Sequence, residues 1–415
     1  MIRYNLYKDS GVELFGEIPN NWDVVRLKYL CDIGTGNRDT INKEEDGEFP
    51  FFVRSKTVEK ISSYSYDCEA ILTAGDGDIC KIWHYIDGKF DCHQRVYKLN
   101  NFRRIDGKFL YYFLMENFEK EVFKLSAKST VDSLRRPMFE NFNVCFPEIK
   151  FQKQIVAYLD KKTAIVDTLI ASKEQKINLL KEKRTALINH IITKGLDPKV
   201  KLKDSGVEWI GEIPAHWEMK KIFYFGKVTL GKMLTPENKG GDFLKFYLRS
   251  KNIQNEKVDI SDVKEMWFSE NELNKLRLLK NDLLLNEGGD VGRTCIWNDE
   301  LEECYFQNSV NIIRFEYDNP KFFLFVSMLY HTVGYYDSLV NRVSIPHLTK
   351  EKLESVRFIR PSFKEQQQIV EYLDTHTQEI NELISLEQKK IETLKEYRQA
   401  LISEVVTGKI KVVKD

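Results

Sequence analysis

The feature that most constrains this chain is that it is written twice. A stretch from Pro147 to about Gly195 opens P-E-I-K-F-Q-K-Q-I-V-A-Y-L-D and closes T-A-L-I-N-H-I-I-T-K-G. A second, from Pro361 to about Lys409, opens P-S-F-K-E-Q-Q-Q-I-V-E-Y-L-D and closes Q-A-L-I-S-E-V-V-T-G-K. Tyr158-Leu159-Asp160 falls on Tyr372-Leu373-Asp374, and Ala186-Leu187-Ile188 on Ala400-Leu401-Ile402, without gaps. An internal repeat of this size dictates two equivalent structural units.

The beginnings repeat as well. Lys8-Asp9-Ser10-Gly11-Val12-Glu13 returns as Lys203-Asp204-Ser205-Gly206-Val207-Glu208. Gly16-Glu17-Ile18-Pro19 with Trp22 returns as Gly211-Glu212-Ile213-Pro214 with Trp217. Each reads as a turn and an aromatic anchor at the entry of a domain. The match runs on to Phe52-Val53-Arg54-Ser55-Lys56 against Tyr247-Leu248-Arg249-Ser250-Lys251. After that the copies diverge. The second is longer by about eighteen residues before register recovers near Gln94 and Gln307.

Between these constant parts the pattern is mixed. Ala70-Ile71-Leu72 and Asp282-Leu283-Leu284-Leu285 read as strands, with turns at Gly75-Asp76-Gly77 and Gly288-Gly289-Asp290-Val291-Gly292. Residues 91–99 and 307–315 read as further strands, and the aromatic runs 108–118 and 321–330 as buried helices. A polar segment, then Leu134 or Leu348, leads to a last strand ending at Pro147 or Pro361. The expected architecture is α+β: two mixed globules at 1–146 and 201–360, with helical regions at 147–200 and 361–415.

The helical regions carry a heptad-like stripe. Val166, Ile170, Ile177, Leu180, Leu187 and Ile191 recur in alternating steps of four and three, as do Ile380, Ile384, Ile391, Leu394, Leu401 and Val405. Lys173 and Glu387 interrupt one seam position, and Arg184 and Arg398 another. Such a stripe needs a partner, and polar seam positions fix its register. A helix from Phe151 to Thr193 spans roughly 65 Å. Two of them in one chain are expected to pair as an antiparallel coiled coil in a pseudo-twofold repeat.

Composition narrows the chemistry. Over 415 residues, Lys plus Arg and Asp plus Glu both number 63, so a nucleic-acid site must be a local patch. No apolar run reaches membrane-spanning length and no secretory signal opens the chain, so a cytoplasmic protein is expected. Seven cysteines without paired metal spacing read as reduced thiols. Cys80, His84, Cys92 and His93 cluster in sequence, but the second copy has no matching set, which favours core thiols over a metal site.

Catalytic motifs are missing. Asp32-Ile33-Gly34-Thr35-Gly36 is similar to the Gly-rich turn that holds S-adenosylmethionine in methyltransferases. Only Gly36 has a counterpart, Gly231, and no N-P-P-Y or D-P-P-Y loop follows. There is no phosphate loop, H-E-x-x-H or nucleophile elbow. What recurs is polar. Arg54, Ser55 and Lys56 answer Arg249, Ser250, Lys251 and Asn252. His93-Gln94-Arg95 answers Gln307-Asn308-Ser309. Lys128, Ser129 and Thr130 answer Asn341 and Arg342, with Arg135, Arg136 and His347 close by, and Arg293 closes the second glycine turn. Arg and Lys grip phosphates or read guanine, and amides read adenine. The frame repeats while the side chains differ, as expected if each globule reads a different sequence.

Two variable globules, each opened by K-D-S-G-V-E-x-x-G-E-I-P-x-x-W and closed by Q-x-Q-I-V-x-Y-L-D and a long helix, resemble a type I restriction-modification specificity subunit. The resemblance covers essentially the whole chain. It implies two target recognition domains that each read half of a split double-stranded DNA site, and two helices that act as a ruler between them. It implies that two modification subunits dock there, bringing S-adenosylmethionine and adenine-N6 methylation, and that restriction subunits add ATP-driven cleavage. This chain itself is then non-catalytic and holds no cofactor or metal. The alternative is a two-headed protein–protein scaffold without a DNA role.

Overall fold

The computed structural model describes residues 3–125, 133–238, 240, 242–340 and 347–412. They form two compact units, residues 1–175 with 387–415, and residues 176–386. The division cuts both long helices, so each unit holds one globule and one part of each helix.

The first globule carries a six-stranded sheet in the order Asp32–Thr35, Val96–Asn100, Tyr66–Ala74, Trp83–Cys92, Phe49–Phe52, Glu59–Ile61. All neighbours are antiparallel except Phe49–Phe52, which runs parallel to Trp83–Cys92. The second globule splits the same plan over two sheets. One has the order Gly226–Leu230, Val310–Phe315, Leu283–Asn286, Thr294–Ile296, and the other Lys264–Phe268, Phe243–Leu248, Tyr305–Phe306. Lys264–Phe268 takes the edge place of Glu59–Ile61, and the extra residues of the second copy supply a hairpin, Ile253–Gln254 with Lys257–Val258, and a short helix Glu270–Leu276. The mixed α+β expectation holds.

Three sequence expectations need correction. Residues 91–99 are not one strand: Trp83–Cys92 and Val96–Asn100 flank a turn at His93-Gln94-Arg95. Residues 307–315 likewise divide, with Gln307-Asn308-Ser309 turning between Tyr305–Phe306 and Val310–Phe315. Polar residues with no apolar alternation cannot stay in a buried ladder. Gly-Glu-Ile-Pro turns only at its ends, and its middle is a strand. Glu17–Pro19 pairs with Tyr7–Asp9, and Glu212–Pro214 with Leu202–Asp204. One turn lies before it, where Asp9 Oδ1 accepts from Gly11 N at 2.9 Å, as Asp204 Oδ1 does from Gly206 N at 2.9 Å; the other follows it, where Trp22 N donates to Pro19 O at 2.9 Å and Trp217 N to Pro214 O at 3.0 Å.

The helices run Ile149–Lys194 and Phe363–Val406. Every seam position is buried or half-buried. In the first unit the two helices lie antiparallel. Lys173 Nζ meets Glu387 Oε2 at 2.8 Å, and Asp167 meets Arg398 Nε at 3.0 Å, so one number rises as the other falls. The polar interruptions Lys173 and Glu387 thus pair with each other. In the second unit Arg184 instead bonds both carboxylate oxygens of Glu256, at 2.6 and 2.7 Å.

The motif residues at each helix start tie it to its globule. Gln152, fully buried, accepts from Asp106 N and donates to Pro147 O. Gln366, also fully buried, accepts from Asn319 N and donates to Pro361 O. Asp160 holds Lys108 at 2.8 Å, and Asp374 holds Lys321 at 2.7 Å. The helix ends close on the entry segments. A Cβ at Gly408 would meet Pro19 and Trp22, and one at Gly195 would meet Trp217. Trp22 and Trp217 are buried to 0% and 1% exposure, so these anchors complete the cores. None of the helices among the described residues is long and apolar enough to cross a membrane.

Candidate nucleic-acid interface

In each globule, sequence-distant polar runs converge. In the first, Arg54 Nη1 lies 2.8 Å from Asp76 Oδ1 and Arg95 Nη1 lies 2.9 Å from Asp76 Oδ2. One carboxylate therefore orients two guanidinium groups that remain 41% and 62% exposed. Burial alone would raise the Asp76 carboxyl, but hydrogen bonds from Arg54 and Arg95 hold it below its ordinary value. His93, behind them, is pushed down by burial and by the Arg54 charge, and its Nδ1 accepts from Arg95 N. Lys56 is exposed, while Ser55 Oγ accepts from Thr57 N and closes its own turn. Ser133, beside the third polar run, bridges to Asp76.

The second globule repeats the frame with other atoms. Asp262 holds Arg249 at 2.6 Å, Lys251 at 3.0 Å and Lys264 at 3.1 Å. Hydrogen bonds from Lys251 and Lys264 bring its carboxyl down to about 2. His347 bridges to Gly288 as Ser133 does to Asp76. Leu348 N donates to Glu287 O as Leu134 N does to Gly75 O, both at 2.7 Å. Gly75-Asp76-Gly77 is therefore the structural counterpart of Glu287-Gly288-Gly289. The clamp carboxylate sits in the glycine turn of one globule and in the inserted segment of the other.

Local register also becomes clear. Gln94 N donates to Arg38 O and Asn308 N to Lys232 O, at 2.8 and 2.9 Å. Gln94 thus corresponds to Asn308, one place from the Gln307 that sequence matching selects. Arg38 and Lys232 were not singled out by sequence. Each is held by an acid: Arg38 by the fully buried Asp91 at 2.9 Å, Lys232 by Glu272 at 2.6 Å. Neither acid lies near its partner in sequence, so no local motif announces the pair.

Some expected contact residues face inward. Asn252 is 2% exposed; its amide donates to Asp259 O and Asp262 O, and its Oδ1 accepts from Arg249 N. It shapes the loop and offers no free edge to a base. Arg293 donates to Ser250 O at 3.1 Å and lies near Asp290, which also holds His331. Ser250 Oγ donates to Ser309 O, and Ser250 N donates to Ser309 Oγ. Arg293 and Ser250 brace the cluster. Gln307 and Asn308 are half-buried. Lys128, Ser129, Thr130, Asn341 and Arg342 lie outside the described residues.

The glycine of the D-x-G-x-G string has a packing explanation. A Cβ at Gly36 would stand 1.9 Å from Cys92 O, and one at Gly231 would stand 2.2 Å from Gln307 O. The shared glycine lets the backbone meet the polar turn. Asp32 is bonded to Asn101 and Arg103. Cys80 and Cys92 are buried thiols pushed up to about 12, first by that burial. His84 Nε2 meets Ser55 O.

With this geometry in place, the likeness to known proteins is specific. The type I restriction modification DNA specificity domain matches residues 19–181 and again 214–395. The chain belongs to that family and is a type I specificity subunit. It is 22% identical, over 99% of both chains, to the type I restriction enzyme MjaVIII specificity subunit of Methanocaldococcus jannaschii. It is 32% identical over 42% of its length to 38% of the type I restriction enzyme EcoDI specificity subunit of Escherichia coli. Among solved structures, a chain from work on assembly and conformational transition of the type I R-M system superposes with a TM-score of 0.70 at 16% identity, covering 95% of this chain and 99% of that one. The HsdS subunit from Thermoanaerobacter tengcongensis gives a TM-score of 0.52 at 15% identity, covering 95% and 98%. At these identities the likeness speaks for the fold.

Proposed function

We propose that this specificity subunit reads a bipartite double-stranded DNA target, one half-site per globule, and carries no catalytic step itself. The observation that carries the reading is the acid-clamped cation cluster, present in both globules on an equivalent frame with different side chains. Arg54 with Arg95, and Arg249 with Lys251 and Lys264, would meet phosphates and base edges. Held cations lose less side-chain freedom on binding than free ones do. Each cluster has more positive than negative groups, so the neutral chain still presents local positive charge.

Methylation would come from modification subunits, two per chain, docked on the helical regions, with S-adenosylmethionine bound there. Restriction subunits would bring ATP-driven cleavage. The two helices, as elements of constant length, would set the unread spacer between half-sites.

The test is methylation of a randomised DNA pool by the chain together with its cognate modification subunits, read by sequencing. The expected product is one bipartite site with two fixed half-sites. Methylation without sequence preference rejects the reading. Replacing Arg249 and Lys251 by Ala should weaken binding across all sequences and flatten the salt slope by about two. An unchanged slope removes that cluster from the interface.

A further inference from the structure

The loop that follows the shared glycine has a second, unexplained property in both globules. In the first, Ile41 is 87% exposed, the highest value among the described large apolar side chains. In the second, Met233 is 73% exposed and Leu234 49%. A single exposed apolar residue ordinarily means nothing. These are held in place by matching scaffolds.

Both loops rise from the same base. Arg38 N donates to Cys92 O, and Lys232 N donates to Phe306 O. The carbonyl of each cation accepts from the polar turn, from Gln94 N and Asn308 N. Each cation is fixed by its acid, Asp91 or Glu272. Ile41 sits three residues on, in a single helical turn, Thr40–Asn42. Asp39 N donates to Asn42 Oδ1 at 2.9 Å, and Asp39 Oδ1 accepts from Ile41 N. Asp39 also accepts from Gln94 Nε2 at 3.2 Å, which joins the turn to the polar run. Met233 directly follows Lys232. Its carbonyl accepts from Thr235 Oγ1 at 3.0 Å, and Thr235 O accepts from Trp267 N at 3.1 Å. The backbone under each apolar tip is therefore fixed, while the tip itself is left in water.

We infer that Ile41 and Met233 are specificity-determining residues, each placed to contact the C5-methyl of a thymine in its own half-site. The inference rests on the DNA reading proposed above. An apolar side chain beside cationic and amide groups suits a polyanion whose groove exposes one apolar group among polar edges. In the major groove that group is the thymine methyl. The two tips differ in shape and in distance from the cation, by three residues in one globule and one in the other, as two different half-sites require.

The experiment uses the full chain with its cognate modification subunits and the randomised DNA pool. Ile41→Ala should relax one A·T position of one half-site, on the order of tenfold, and leave the other half-site unchanged. Met233→Ala should do the same in the opposite half-site. In wild type, deoxyuridine in place of that thymine should reproduce the loss. In the variant it should add nothing. Unchanged base preference in both variants overturns the inference, as does relaxation at a G·C position. A uniform fall in methylation with preferences intact also overturns it and assigns the tips to a protein contact. If wild type itself shows no bipartite preference, the DNA reading fails instead, which keeps the two failures distinct.

Discussion

Glu116 lies on the helix Gly107–Leu125, 7% exposed, with its Oε2 buried and without a hydrogen-bond partner among the described residues. Burial raises its carboxyl to about 7, against opposing contributions from Lys120, Gln399 and Arg398. A carboxyl raised in the fold favours the folded state while protonated. That stability is complete below its ordinary value near 4.5 and is lost as pH rises through 7. Glu116→Gln should therefore raise thermal stability at pH 8, by up to about 3 kcal/mol, and change little at pH 4.5. Melts of both proteins across that range check the sign, and equal shifts at the two ends would refute it. Glycine makes a second residue-scale prediction. Gly36→Ala should displace the turn at Cys92 and cost about 1–3 kcal/mol. Its effect on base preference should stay within one half-site, with Gly231→Ala acting on the other. The repeat marked both glycines in the sequence. The reason for them, a carbonyl from a turn far along the chain, was not readable there.

At the scale of elements, the helix pair was largely legible. A stripe at steps of four and three has one physical use, burial against a like stripe. Even the polar interruptions were visible, but what they do was not. Lys173 and Glu387 looked like two costs and are one pair, with Glu387 only 3% exposed. Lys390 also meets Glu387, at 3.1 Å, so removing Lys173 leaves the buried carboxylate with one fewer cation. Lys173→Met should destabilise by about 1–3 kcal/mol, and the double variant Lys173→Met with Glu387→Leu should recover most of that loss. Denaturant unfolding of the cycle measures it; additive losses would mean that the two groups do not interact. Gln152 is a similar case. Gln152→Ala leaves Asp106 N without its acceptor and should cost about 1–3 kcal/mol. Gln366→Ala should do the same through Asn319.

For the whole molecule, the proposed ruler gives the strongest prediction. Inserting one helical turn in both long helices should lengthen the recognised spacer and leave both half-sites unchanged. Sequencing of methylated products reads this directly, and an unchanged spacer would reject the ruler. Inserting a turn in one helix alone shifts its seam against its partner and should destabilise the chain, which a melt detects. The compact units cut across the helices, so each globule owns the start of one helix and the end of the other. The sequence hinted at this, because the segment that opens the protein returns directly after the central helix.

The sequence by itself determined the doubling, the helix pair, the entry anchors and the mixed character of the globules. Each of these is a periodicity or a repeat, and periodicity is local information. The tertiary structure decided which polar residues meet. Asp76 and Asp262 take the same part from different places in the chain, and Arg38 finds Asp91 at the end of the strand Trp83–Cys92 that it lies beside. It also decided that Asn252 faces inward, and that Ile41 and Met233 face water. Arg38 with Asp91, and Asp76 with Arg54 and Arg95, depend on closure at long sequence separation; Asp262 and Asn252 find their partners within thirteen residues, and there the packing of the loop decides which side chains turn inward.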